Sequence, residues 1–122
     1  MDAEELIQRY AAGERDFTGA NLAQAKLIGA NLVGVQLWGA NLSGANLAKA
    51  KLWGANLCGA NLAKANLTRA NLSGANLVEA NLRQAKLRYT KMFAANLSGA
   101  CYDDSTQFSR GFDPMSRNMR KV

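Results

Sequence analysis

From Arg15 to Asp104 the chain repeats one five-residue unit eighteen times without a gap. Aligned on its third position, the unit carries Leu in fifteen copies, with Phe17, Met92 and Tyr102 as the exceptions. Two positions earlier stands Ala, again in fifteen, with Arg15, Val35 and Thr90 departing. Between them is Asn in eleven copies and Lys in four (Lys26, Lys51, Lys86 and Lys91). A period of five suits neither an amphipathic helix nor a plain alternating strand. Self-similarity at a fixed period specifies a solenoid, whose units bury their apolar face only by stacking on one another.

Within one quintet the alternation is that of a short strand: Ala in, Asn out, Leu in. The last two positions must then turn the chain. Glycine fills the fifth position in nine of the eighteen units, which suits a type II turn with its positive φ at the third of four residues. Small Ala and larger Leu fill a narrow interior in alternation, and the outward Asn is placed to hydrogen-bond nearby turn backbone. Sorting the quintets by fours concentrates the glycines: seven of nine in two columns and two of nine in the others. Sorting by threes gives no such contrast, so the period of the coil reads as four quintets.

The pattern A-N-L-x-x resembles the pentapeptide-repeat family, across all ninety residues of the repeat. The opening "RYAAGERDF" and the closing "FSRGFDP" also resemble the ends of cyanobacterial members. The resemblance implies an all-β solenoid, a right-handed quadrilateral β-helix with one quintet per side, here about four and a half coils. At a strand spacing of about 4.8 Å per coil, the prism is roughly 22 Å tall.

Three segments follow: an N-terminal capping helix over 1–14, the β-helix over 15–104, and a C-terminal cap and basic tail over 105–122. Asp2 followed by Glu5 reads as a capping box, Leu6, Ile7 and Tyr10 as the helix's apolar face, and Gly13 as its end. At the other end Phe108 and Phe112 are plugs, and Asp113-Pro114 starts a short helix that sets Met115 and Met119 on one side. The first ten residues are acidic where a signal peptide is basic and then apolar, which predicts a cytosolic protein. Cys58 and Cys101 have no metal-like spacing and read as isolated, reduced thiols.

Nothing in the sequence assembles a catalytic site. There is no histidine, no GxxxxGK[ST] phosphate loop and no GxGxxG motif. The adjacent carboxylates of "YDDST" at 102–106 read as a solvated capping loop rather than a metal site, and no cofactor is expected. Interest therefore moves to the outside of the prism. With equivalent residues twenty apart, Val33, Trp53 and Phe93 fall on one face and Trp38, Cys58 and Val78 on the next. Together they predict an apolar strip around one corner, a candidate protein-contact surface. Lys26, Lys49, Lys64, Arg69, Arg83, Lys86 and Arg88 collect opposite it, a basic corner that serves solubility or tracks phosphates. "KLRYTKMF" at 86–93 interleaves bases with Tyr89 and Phe93, as a stacking surface does.

The leading reading is a non-enzymatic scaffold that binds another protein through its flat faces. Nucleic-acid binding through the basic corner is the alternative, and a purely structural domain is a third. Some members of the resembling family inhibit or protect type II topoisomerases by mimicking DNA, being acidic, rod-like and dimeric. This chain departs from that pattern. Only Asp16 is acidic among the second positions, and residues 15–104 hold ten bases against four acids.

Overall fold

Keeping Ala and Leu inward requires the chain to turn at every fifth residue. In the computed structural model, which describes residues 1–122, it does so without exception from Gly19 to Gly99. Each fifth position there has a φ between 59° and 73°, and each third-position carbonyl accepts the N–H of the next first position, as in Ala60 to Leu57 at 3.0 Å. Positive φ at the third residue of a hydrogen-bonded turn defines type II. Glycine was the expected occupant, yet eight such positions hold other residues, including Gln24, Lys49, Arg69 and Tyr89. Left-handed backbone costs an L-residue about 1–2 kcal/mol. The ladder on both sides imposes it regardless.

The N–H groups of one quintet can be followed to their acceptors. Asn56 donates back to Val35 (2.9 Å), Leu57 forward to Asn76 (2.7 Å) and Gly59 forward to Val78 (2.8 Å), so positions two, three and five tie neighbouring coils together. Position one closes the turn. Only the fourth N–H is left, and the second-position side chain takes it: Cys58 N–H donates to Asn56 Oδ1 at 3.1 Å. All eleven repeat asparagines do the same, and Asp16 does so for Thr18. This Asx turn is why the unit spells Asn between its two inward residues. Asn71→Ala is expected to cost about 0.5–1.5 kcal/mol by orphaning the Ser73 amide, read as a lower urea midpoint at unchanged slope.

Every bridge from Asp16↔Gln36 to Asn81↔Cys101 is parallel and joins residues twenty apart. Four quintets therefore make one coil, as the glycine columns implied, and the fold is the right-handed quadrilateral β-helix. Its four faces begin with the quintets at 15, 20, 25 and 30. All the leucines are buried to 2% exposure or less, and the core contains no polar or charged residue.

Helix α1 (Ala3–Ala11) covers the first coil. Asp2 Oδ1 accepts the Glu5 N–H at 2.8 Å, but the reciprocal half of the capping box is not made, because the Glu5 carboxylate turns to Arg9 at 3.4 Å. Leu6 is fully buried and the Tyr10 hydroxyl donates to the Val33 carbonyl at 2.7 Å, satisfying an edge of the first coil. Ile7 does not join them. One residue on from Leu6 the helix has rotated it toward solvent, where it is 45% exposed.

The C-terminal segment adds to the ladder before leaving it. Strand β1 (Lys86–Leu87) pairs in parallel with β3 (Gln107–Phe108), and β2 (Cys101–Tyr102) with β4 (Arg120–Lys121). Phe108 stacks on Phe112 at 4.9 Å and meets the edge of Tyr102 at 5.5 Å, plugging the end of the core. A 3-10 turn, Met115–Arg117, follows Pro114. The two methionines do not share a side: Asn118, with φ 59°, reverses the chain, leaving Met115 66% exposed and Met119 4%. In "YDDST" the Asp103 carboxylate accepts from the Gln84 and Ser105 amides and the Thr106 hydroxyl, while Asp104 pairs with Lys121 at 2.8 Å. Desolvation pushes the Asp103 pKa up, but those hydrogen bonds outweigh it and hold the carboxyl below the usual carboxylate range. The ionised form therefore favours the fold, and its contribution disappears as pH falls through the depressed value.

Candidate protein-contact faces

Each face displays two outward rows, the second and fourth positions of its quintets. On the fourth face these are Asn31, Lys51, Asn71 and Lys91, and Val33, Trp53, Ser73 and Phe93. On the first face the fourth-position row holds Trp38, Cys58 and Val78, beside a second-position row of Gln36, Asn56 and Asn76. The apolar rows therefore lie at successive corners, separated by the width of the first face, rather than around one corner. Trp38 is 54% exposed, Trp53 50% and Phe93 85%. Val33, Cys58 and Val78 are half-buried between neighbouring coils.

Large apolar side chains appear where the Asx turn is absent. The fourth-position amides of Ile28, Trp38, Trp53, Arg88 and Phe93 find no acceptor, and their second positions are Lys26, Gln36, Lys51, Lys86 and Lys91. Where the second position is Asn, the fourth is Ala, Ser, Thr, Cys, Val or, once, Arg83. Each exception forgoes roughly 0.5–1.5 kcal/mol of local hydrogen bonding and displays a large side chain instead. Ile28, 62% exposed, belongs to this set and was missed by sequence reasoning. The linkage between second and fourth positions was the available signal.

The basic residues form a band rather than a corner. Lys26 and Lys86 lie on the outward row of the third face, with Arg88 at its fourth position. Lys49 and Arg69 sit at the turn leading to the fourth face, whereas Lys64 and Arg83 end the second face. The Arg69 guanidinium lies over the Tyr89 ring at 5.0 Å. Arg88, Tyr89 and Arg110 share a groove of about 280 Å³ with Phe108 and Ser109. Arg110 lies outside the repeat, and β3 carries it there by pairing Lys86 with Gln107, twenty-one residues on.

Chemically the surface offers donors, cations and apolar rows. No three His, Cys, Asp or Glu side chains converge as metal ligands, and no helix is long and apolar enough to cross a membrane. A four-sided β-helix of stacked five-residue units is a solenoid, in which each coil contacts only its neighbours. A family model described as "Pentapeptide repeats (8 copies)" matches residues 16–54, 40–77 and 65–101, and the chain belongs to this pentapeptide-repeat family. Among solved structures it is similar to alr5209, a pentapeptide repeat protein from Nostoc Pcc 7120, with a TM-score of 0.85 and 36% identity over 99% of this chain and 96% of that one. It is also similar to Rfr23 from the cyanobacterium Cyanothece 51142, with a TM-score of 0.74 and 43% identity over 75% of this chain and 62% of that one. A sequence relative, the uncharacterized protein slr1851 of Synechocystis, is 47% identical over 36 residues, which are 30% of this chain and 22% of that protein's length.

Proposed function

We propose that the protein is a non-enzymatic cytosolic scaffold that binds another protein through its apolar rows, centred on Trp38 and Trp53. The observation that carries this reading is the exchange of the Asx turn for exposed bulk at Ile28, Trp38, Trp53 and Phe93. A chain that repeats a stabilising asparagine eleven times gives it up where it presents a large apolar side chain. Tryptophans held on a rigid face lose little entropy on binding and are enriched at interface hot spots. Capture from host lysate tests the reading, comparing wild type with Trp38→Ser/Trp53→Ser. A partner retained by wild type and lost by the double variant is expected; equal recovery by both would count against it.

A second reading, nucleic-acid binding, draws on the groove shared by Arg88, Tyr89 and Arg110. Steep weakening of binding with salt is its signature. The excess of bases over acids in the repeat opposes DNA mimicry, which needs negative charge along the prism.

A further inference from the structure

The ladder runs out on one side before the chain does. On the third and second faces β3 and β4 each add a strand to the last coil. Between them the chain takes a shorter route: Lys86 and Cys101 are fifteen residues apart, but their partners Gln107 and Arg120 only thirteen. Residues 109–119 cut across the end of the core rather than following the fourth and first faces. The first-face edge is partly closed, because the Arg117 guanidinium donates to the Ala95 carbonyl at 2.8 Å and the Gly99 N–H to the Asn118 carbonyl at 2.8 Å.

The fourth-face edge is open. The Thr90 carbonyl and the Met92 and Ala94 N–H groups have no hydrogen-bond partner. One coil earlier the equivalent groups are all used: Ala70 C=O accepts from Lys91 N–H (2.9 Å), Leu72 N–H donates to Lys91 C=O (2.7 Å), and Gly74 N–H donates to Phe93 C=O (2.8 Å). Acceptor, donor and donor at every second residue form a template for one more parallel strand. Beside it lies an open groove of about 540 Å³ walled by Met92, Phe93, Ser116 and Arg117. Lys91 stands exposed on the edge, and no carboxylate lines the groove. Phe93 is the most exposed large apolar residue in the molecule because nothing lies over it.

We propose that this edge docks an extended acidic segment of a partner protein as an added parallel strand. Continuing the register fixes its chemistry. The residue over Lys91 is Asp or Glu, the next is apolar and points inward over Met92, and the one after is apolar and covers Phe93. A second copy of this chain is the poorer occupant, since joining two such edges would bring together the Lys91 and Arg117 charges of both with no acid between them. The proposal rests on the scaffold reading and supplies the recognition chemistry for one of its surfaces.

The test uses the full chain, isotopically labelled, and the blocked peptide Ac-Ser-Ala-Asp-Leu-Leu-Gly-Ser-NH2. At saturation the Met92 and Ala94 amides are expected to exchange at least about tenfold more slowly. Lys91→Glu should weaken binding roughly fivefold or more, as should replacing the peptide's Asp by Lys. Trp38→Ser/Trp53→Ser should bind the peptide as wild type does, so a failure of the tryptophan reading is seen separately in the lysate capture. Absence of binding, binding without protection at Met92 and Ala94, or equal affinity for the Lys peptide would overturn the proposal. So would a dimer of the free protein with those amides already protected.

Discussion

Leu57→Lys is expected to yield a chain with no cooperative thermal transition. Leu57 is fully buried in the first-face column between Leu37 and Leu77, and its amide is tied to Asn76 at 2.7 Å. Burial of such a leucine is worth about 1.5–3 kcal/mol, and an unpaired buried ammonium adds several more in desolvation. The core offers that charge no partner, since it contains no polar side chain. Against a typical total of about 5–15 kcal/mol, the loss is decisive. Each coil is buried only by its neighbours, so disruption in the middle coil uncouples both halves. Circular dichroism during a thermal melt checks it; a sharp transition near that of wild type would contradict the account of the core.

Ala70→Leu is the complementary experiment, adding volume where the previous one adds charge. Ala70 is fully buried, in the fourth-face column that runs from Ala30 through Ala50 to Thr90. A larger residue appears there only at the end, where Thr90 is half-buried and its hydroxyl donates to the Leu67 carbonyl at 2.8 Å. Three added carbons in mid-column force adjacent coils apart, at a cost of about 1–3 kcal/mol or more. The melting temperature should fall by roughly 3–18 °C. An unchanged melt would mean that the interior is not narrow.

These two substitutions also mark where the sequence was most informative. Inward Leu and Ala at fixed spacing dictate the solenoid because no other period buries both, and the glycine columns disclosed the four-quintet coil. What escaped was local chemistry set by the ladder. Lys49 and Tyr89 adopt left-handed backbone that propensity disfavours, because their neighbours on both sides are already fixed. Ile7 and Met115 turned outward since one-dimensional spacing could not tell which part of each cap touches the coil. Of the exposed apolar residues the tryptophans and Phe93 were legible but Ile28 was not, nor that Trp38 and Trp53 occupy different corners. The open edge at Thr90–Ala94 was invisible for a different reason. It arises from the path of residues 109–119, which no repeat specifies.

Residue-resolved hydrogen exchange of the free protein tests the ladder most directly. The account predicts slow exchange at positions two, three and five of the quintets from Ala40 to Ala85, and also at Lys91 and Asn96, whose amides donate to Ala70 and Ala75. Met92 and Ala94, one and three residues beyond Lys91, should exchange fast. Uniform protection across 91–96, or fast exchange spread through the interior coils, would contradict a four-sided ladder that is fully bonded in its interior coils and open along the fourth-face edge at Thr90–Ala94.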